Sequence, residues 1–245
     1  MPDVSPCLLS LDTATETLHL GVRRAGRDWV RALPGGAQAS DTLMPGLQAL
    51  LDEAACPLDE LQAIAFGRGP GAFTGLRTAC ALAQGLALGL GVPVIALDTL
   101  LAVAQAACQA GAGATVCAAQ DARMGQIYAA VYRQQADGSW VTLMAPALLN
   151  PPELITALQS HPEAELAGNA LLAHAAALSA LTAPRWPQAQ PDGASLLALA
   201  HRAWLRGETI DPALALPLYV RDKVADTTAE RAAAAQALAS RQGGG

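Results

Sequence analysis

Alternating hydrophobic and polar residues near the start of the chain predict a β-sheet that begins with a hairpin. The segment 7–24, CLLSLDTATETLHLGVRR, alternates along both arms and breaks at TATE. The break places Asp12 at the end of the first strand. Residues 27–34, RDWVRALP, predict a third strand of the same sheet.

A helical period follows in residues 40–55, SDTLMPGLQALLDEAA. Asp41 or Thr42 is the predicted N-cap, because a short polar side chain there accepts a hydrogen bond from a free backbone N–H. Pro45 fits only in the first turn, where its missing N–H has no helical partner. The apolar stripe consists of Leu43, Leu47, Leu50 and Ala54.

The remaining elements alternate between strands and helices, and the second half repeats the order of the first. The first half continues with a strand at 61–66, a glycine-rich loop at 67–77, a helix at 76–90, a strand at 93–97 and a helix at 98–108. The second half has a strand–turn–strand at 114–133, a strand–turn–helix at 163–172, a helix at 194–206 and a short segment at 214–221. Asp121 lies at the first turn of this half, much as Asp12 lies at the first turn of the other. We therefore predict a duplicated α/β fold with a mixed sheet in each lobe. The lobes are 1–108 and 109–225, followed by a low-complexity tail at 226–245 that is predicted to be a frayed helix.

Composition adds limits on the function. The chain is 52% hydrophobic and 15% charged, which supplies a real core. Its net charge is −6 and it has no run of five basic residues, so binding of tRNA or DNA by this chain alone is disfavoured. The cysteines are odd in number and lack C-x-x-C spacing, which predicts small core residues in a reducing compartment. They are Cys7, Cys56, Cys80, Cys108 and Cys117.

Two stretches have some features of targeting or membrane segments, but neither fits such a segment. The N-terminus, MPDVSPCLLSLD, carries an acid where a signal peptide carries bases. Residues 78–97 contain no charge, but Gly-Val-Pro at 91–93 predicts a helix, a turn and a buried strand instead of a membrane span. We expect a cytoplasmic protein that does not enter a membrane.

The loop 67–77, GRGPGAFTGLR, resembles a phosphate-binding loop but matches neither common type. A Walker A loop needs G-x-x-x-x-G-K-[ST], whereas Gly71 to Gly75 is one residue short and no lysine follows. The dinucleotide spacing G-x-G-x-x-G also fails. Two interpretations stay open: the N-terminus of the next helix attracts an anion, or the glycines only allow the loop to pack tightly. The candidate residues of a vestigial phosphate site are Asp12 and Thr13 in the first turn together with Gly69, Gly71 and Thr74 in this loop.

Four stretches together resemble the TsaB (YeaZ) family. They are LLSLDTATETLHLGV, residues 65–100, QDARMGQIYAAVY and PLYVRDKVA, so the resemblance runs from about residue 7 to 225. It implies an actin/Hsp70/sugar-kinase-like (ribonuclease H-like) fold and a role in making threonylcarbamoyladenosine on tRNA. It further implies a subunit that is not itself the catalyst and pairs with TsaD, with TsaE as the third partner and tRNA reached only through the complex. Many relatives carry a histidine where this chain has Ala39.

The residues agree with a chain that has no catalytic residue, metal or cofactor. Ala14 occupies the first turn where an ATP-using relative has a glycine for the phosphates, and Asn169 replaces a glycine on the adenosine side. Asp12 and Asp121 are interpreted as turn caps. The histidines at 19, 161, 174 and 201 form no H-x-x-x-H motif, so a metal site is not predicted.

The helix at 76–90 is apolar or small on all sides, which predicts burial on all sides. The face that packs on the sheet consists of Leu76, Ala79, Ala83, Leu86, Ala87 and Leu90. The opposite side, here the outer face, has Arg77 as its only charge and otherwise consists of Thr78, Ala81, Leu82, Gly85, Leu88 and Gly89. Either another element of the chain covers the outer face, or a second molecule does. We predict that it forms a partner interface with Leu43, Met44, Leu47 and Leu51 of the preceding helix, toward TsaD or a second copy of the chain. The alternative function is that of a stand-alone ATP-dependent phosphotransferase or a peptidase.

Overall fold

The computed structural model describes residues 5–221, and its first half forms one five-stranded sheet with three α-helices. The strands are β1 (Leu8–Asp12), β2 (Thr17–Arg24), β3 (Arg27–Pro34), β4 (Ala63–Gly69) and β5 (Val94–Asp98). They lie in the order β3-β2-β1-β4-β5. The helices are α1 (Ala39–Glu53), α2 (Phe73–Leu90) and α3 (Thr99–Gln109).

The second half forms another five-stranded sheet in the order β10-β9-β6-β7-β8. Its strands are β6 (Thr115–Asp121), β7 (Ile127–Gln134), β8 (Trp140–Leu149), β9 (Glu165–Ala167) and β10 (Arg185–Trp186). Its helices are α4 (Pro151–Leu158), α5 (Ala170–Ala173) and α6 (Gly193–Leu205). In each half the first strand pairs antiparallel with the second and parallel with the fourth. The predicted duplicated α/β fold with two mixed sheets is confirmed.

Helices cover both faces of the first sheet. Leucines of α1 and alanines of α2 pack with Leu9, Leu20 and Phe66 on one face. Helix α6 covers the other face, where its leucines pack with Leu8 and Ile95. Helix α3 lies between the two sheets. A helix from the predicted second lobe thus completes the core of the first, while the lobe boundaries stay a prediction.

Helix α1 differs from its predicted start. Its N-cap is Gln38, which makes no capping side-chain hydrogen bond, so neither Asp41 nor Thr42 caps the helix. The Thr42 hydroxyl instead donates to the carbonyls of Pro34 and Gln38, at 2.8 and 3.1 Å. Pro45 lies inside the helix and beyond its first turn. It is exposed, so the ring and the helical hydrogen bond it removes face solvent.

Helix α2 starts at Phe73 and not at Leu76, so Thr74 and Gly75 belong to its first turn. The loop therefore ends at Ala72, whose backbone is extended. The helix ends at Leu90, and Gly91 follows in the left-handed conformation before β5 begins. This confirms the predicted helix, turn and strand. Within residues 5–221, no helix is long and apolar enough to span a bilayer.

The end of α1 predicts a stabilising substitution. Ala55 has φ of 48°, its N–H donates to the Asp52 carbonyl, and the Cys56 N–H donates to the Leu51 carbonyl. This is a Schellman motif, in which glycine is preferred because a Cβ is unfavourable in the left-handed region. We expect Ala55→Gly to raise the free energy of unfolding by about 1 kcal/mol, measured by urea denaturation. Ala49→Gly, at an exposed position inside α1, is the control and should lower it by about as much.

Candidate functional site

The turns that follow β1 and β6 face each other across a cleft between the lobes. The cleft has a volume of about 350 Å³ and is lined from both sides, by residues that include Ala14, Gly71, Asp121 and Asn169. An ion pair of 2.9 Å joins Glu16 in the first turn to Arg123 in the second. Both side chains are largely exposed, so the pair adds little to stability. The duplication thus brings the ends of the two corresponding strands to one place.

Asp12 is completely buried at the end of β1, and both of its carboxylate oxygens are used. Oδ1 accepts a hydrogen bond of 2.7 Å from the Ala14 N–H, and Oδ2 accepts one of 2.8 Å from the Thr99 hydroxyl. Burial raises the pKa of Asp12 to about 6, although the two hydrogen bonds act against this rise. The carboxylate caps the turn and ties it to the start of α3.

The raised pKa makes Asp12 a source of pH-dependent stability. Folding favours the protonated form of the Asp12 carboxyl. The contribution of Asp12 to the free energy of unfolding is therefore complete below the unfolded pKa of 3.8, and it is lost as the pH rises to about 6. We expect Asp12→Asn to be more stable than the wild type at pH 7 by about 3 kcal/mol, and to lose this advantage at pH 4. The asparagine Oδ1 can still accept from the Ala14 N–H, and its NH2 group can donate to the Thr99 hydroxyl oxygen, so both contacts remain and the second one reverses direction.

Denaturation midpoints at the two pH values test this expectation, with the exposed Asp59→Asn as the control. His19, whose pKa is lowered by burial, acts with the opposite sign but is common to all three proteins, so it cancels in the comparison. An Asp12→Asn variant that is less stable than the wild type at both pH values contradicts the assignment.

The glycines of the loop make close contacts with the first turn. A Cβ at Gly67 would lie 1.8 Å from the Asp12 Oδ2, one at Gly71 would lie 2.6 Å from the Ala14 Cβ, and one at Gly75 would lie 1.9 Å from the Thr13 carbonyl oxygen. Gly69 has φ of 114° and precedes Pro70 in a cis peptide.

Hydrogen bonds join the same surfaces. The Thr13 hydroxyl donates to the Gly75 carbonyl at 2.6 Å, and the Ala72 N–H donates to the Ala14 carbonyl at 2.9 Å. Thr74 is exposed in the first turn of α2. The chain's own backbone therefore occupies the space beside the loop, and this geometry favours the tight-packing interpretation of the glycines.

The second turn is held by contacts that the sequence did not indicate. The Asn169 Oδ1 accepts a hydrogen bond of 2.8 Å from the Asp121 N–H. The Asp121 Oδ1 lies 3.0 Å from the His174 Nε2 and accepts a 3.2 Å hydrogen bond from the Arg123 N–H. Asp121 is thus a turn cap, as predicted, and Asn169, at the N-cap of α5, accepts a hydrogen bond from its backbone N–H. Within residues 5–221, no group of three or more His, Cys, Asp or Glu side chains is placed to hold a metal ion.

An extended segment at 215–221, here the strap, connects the two lobes. The Leu218 N–H donates to the Arg68 carbonyl at 2.7 Å in the first lobe, and Arg221 donates to the Ala122 carbonyl at 2.7 Å in the second. The rings of Tyr219 and Phe73 are 5.2 Å apart. A cavity of about 240 Å³ lies among the strap, the start of α2 and the β6–β7 turn. The sequence indicated only a short late segment here, because these contacts join distant parts of the chain.

The outer face of α2 is open at Gly85, Leu88 and Gly89 in the described part of the chain, whereas Leu82 is partly buried and packs against the first core. A Cβ at Gly85 or Gly89 would have no atom within 4 Å, and Leu88 is 63% exposed. The opposite face packs as predicted, with Leu76, Ala79, Ala83 and Ala87 buried. Within residues 5–221, no element covers Gly85 or Gly89, so the described part of the chain does not bury the helix on all sides.

Helix α1 contributes less to the predicted interface than the sequence suggested. Leu43, Leu47 and Leu51 are only 4, 2 and 3% exposed, because they belong to the apolar stripe that packs on the first sheet. They are core residues and do not form an accessible surface. Met44 is 52% exposed and is the one member of the predicted set on α1 that faces solvent.

Comparison with known proteins places this fold in a family. The family model described as "TsaD: tRNA N6-adenosine threonylcarbamoyltransferase" matches residues 36–177. The tRNA threonylcarbamoyladenosine biosynthesis protein TsaB of Haemophilus influenzae is 33% identical over 230 residues, which cover 89% of this chain and 94% of that protein. The chain belongs to the TsaB family.

Further TsaB-family comparisons agree with this assignment. The Escherichia coli protein of the same name is 36% identical over 144 residues, which span 59% of this chain and 62% of that protein. YeaZ from Pseudomonas aeruginosa has a TM-score of 0.77 at 33% identity, with 87% of this chain and 99% of that one covered. A second structure, described as an uncharacterized protein with similarity to peptidase YEAZ from Pseudomonas aeruginosa, has a TM-score of 0.80 at 34% identity, with 88 and 100% covered. The resemblance to TsaB and the expected fold are confirmed.

Proposed function

We propose that this chain is a non-catalytic, cytoplasmic subunit that pairs with a TsaD-like catalytic subunit. With a TsaE-like ATPase, the pair transfers a threonylcarbamoyl group to adenosine 37 of tRNA. The relatives reported above, which carry the TsaB name, support the process.

The observation that carries the pairing is the open outer face of α2. It presents small and apolar residues with no charge among its six members, and Gly85 and Gly89 leave room for another backbone to approach closely. Met44 of α1 adds an exposed apolar side chain. A helix pair from a TsaD-like subunit, or from a second copy of this chain when that subunit is absent, would cover such a surface.

A non-catalytic role is supported by the contacts of Asp12 and of the glycine-rich loop, the two features that resemble a phosphate-binding site. Asp12 caps a turn with both oxygens, and the loop glycines are packed against that turn. Within residues 5–221, these contacts leave no phosphate cradle of the usual kind to support the alternative of an ATP-dependent phosphotransferase.

Four of the five cysteines do not support the peptidase alternative. Burial raises the pKa of Cys7, Cys80, Cys108 and Cys117, which disfavours the thiolate that a cysteine nucleophile requires. Asp121 and His174 form a pair, but the pair serves the turn after β6.

Reconstitution tests the proposal. Threonylcarbamoyl transfer to tRNA is measured with purified TsaD-like and TsaE-like subunits, with and without this chain. We expect transfer to depend on the chain and to be unchanged by Asp12→Asn, which retains the turn. Transfer that proceeds equally well without the chain contradicts the proposal.

The isolated chain is expected neither to turn over ATP nor to bind tRNA tightly. Its packed loop and its net charge of −6 are the reasons. ATP hydrolysis and tRNA gel shifts at low salt measure both properties. The opposite result is ATP turnover that Asp12→Ala abolishes, or salt-sensitive tRNA binding with a Kd below about 1 μM, since non-specific nucleic-acid binding is weaker than this.

A further inference from the structure

Two thiols meet at the end of α1, away from the cleft and from the outer face of α2. The Sγ atoms of Cys7 and Cys56 are 3.3 Å apart, and both residues are buried. They are separated by 49 positions in the sequence, so only the fold brings them together. The described cysteines are all free thiols.

The backbone on each side of the pair is fixed by hydrogen bonds. Cys7 donates its N–H to the Gln62 side chain at 2.9 Å, and its carbonyl accepts from the Gln62 N–H at 2.8 Å. Cys56 donates its N–H to the Leu51 carbonyl at 2.9 Å as part of the Schellman motif. The short distance between the sulfurs is therefore built into the fold, and it does not depend on two mobile side chains.

Cys56 has a route to solvent. A cavity of about 520 Å³ is lined by Cys56 together with Gln48, Leu51 and Pro57. Burial and the neighbouring Cys56 thiol raise the pKa of Cys7 to about 12, so Cys7 stays protonated at neutral pH. A small oxidant that enters the cavity thus meets Cys56 first.

We propose that Cys7 and Cys56 form a reversible disulfide when the protein meets a hydroperoxide. The Cys56 sulfur attacks the peroxide, so that a sulfur–oxygen bond forms, the oxygen–oxygen bond breaks and one water leaves. The Cys7 thiol, 3.3 Å away, then attacks the Cys56 sulfenic acid and passes its proton to the departing oxygen, so that the sulfur–sulfur bond forms, the sulfur–oxygen bond breaks and a second water leaves. The two thiols lose two electrons, and one hydrogen peroxide is reduced to two waters.

The disulfide would link the start of β1 to the end of α1. It closes a loop that is long in sequence, so it restricts the unfolded chain strongly. We expect the oxidised protein to melt about 5–10 °C higher than the reduced protein, and dithiothreitol to reverse the shift.

The test treats the folded full-length chain with hydrogen peroxide and measures its mass. The wild type should lose about 2 Da by disulfide formation, and a non-reduced digest should contain the Cys7–Cys56 peptide pair. Cys117→Ser, which removes a buried cysteine elsewhere, should give the same product. Cys7→Ser should gain oxygen at Cys56 instead, and Cys7→Ala replaces it if the serine variant does not fold.

Two results overturn the proposal. One is a wild-type digest in which Cys56 carries only added oxygen or the cross-links join other cysteines. The other is an absence of cross-link at peroxide concentrations that oxidise the exposed Met44 and Met124, which report that the oxidant has acted.

Discussion

Gly85→Arg is expected to abolish pairing with a TsaD-like subunit while leaving the fold of this chain intact. A Cβ at Gly85 would meet no atom within 4 Å, so an arginine there extends into solvent in the isolated chain. Arginine is also a better helix former than glycine by about 1 kcal/mol. In the complex, the same side chain would separate two closely packed helices and bury an unpaired charge, which costs several kcal/mol. We expect affinity to fall by a factor of about 100 or more.

The experiment measures both the affinity for the partner and the stability of the isolated variant, because a loss of binding is informative only if the variant still folds. Calorimetric titration with a TsaD-like subunit measures affinity, and thermal melting measures the fold. Gly89→Arg, on the same face, should behave alike, whereas Thr156→Arg on the exposed side of α4 should change neither. If the Gly85→Arg variant binds with wild-type affinity, the partner binds to another surface of this chain. A chain that no longer folds shows that the outer face belongs to the core.

The sequence predicted the regular elements well where one face of an element is buried. Strands β1, β2 and β4 and helices α1, α2 and α6 each carry a clear period, because their apolar residues must all reach the same core. Two missed elements, β8 and β10, lack such a signal, whereas the missed helix α4 begins with a capping box formed by Asn150 and Glu153. Strand β8 is half-exposed along most of its length, and β10 contains only Arg185–Trp186. Neither element gives a pattern of hydrophobic residues that separates it from a loop.

The sequence predicted which residues lie at the candidate site, but it did not predict which residues they contact. Asp12 and Asp121 were placed in corresponding turns because the duplication repeats the strand that precedes each. The Asn169 contact with Asp121, the strap and the Cys7–Cys56 pair join positions far apart in the sequence, and no local period encodes them. Leu43, Leu47 and Leu51 show the opposite error. An apolar stripe indicates burial, but it does not distinguish the chain's own core from a partner's surface.

Gly75→Ala, in the first turn of α2, is expected to be the most destabilising single-methyl change in the glycine-rich segment 67–77. The added Cβ would lie 1.9 Å from the Thr13 carbonyl oxygen and 2.9 Å from the Thr13 carbonyl carbon, both of which are backbone atoms. Neither can rotate away as the end of a flexible side chain can. The first turn of α2 must therefore move away from the turn after β1, which also strains the hydrogen bond from the Thr13 hydroxyl to the Gly75 carbonyl. We expect a loss of about 3 kcal/mol in the free energy of unfolding.

Gly85→Ala is a matched control, because it adds the same methyl group to the same helix where no atom lies within 4 Å. It should raise the free energy of unfolding by about 1 kcal/mol through helix propensity alone. Urea denaturation of both variants therefore separates two roles of glycine in one helix. At Gly75 the missing Cβ permits close contact within the chain, and at Gly85 it leaves room that this chain does not use. Equal stability changes at both positions would mean that the loop is not packed against the first turn, and the tight-packing interpretation of the glycines would be wrong.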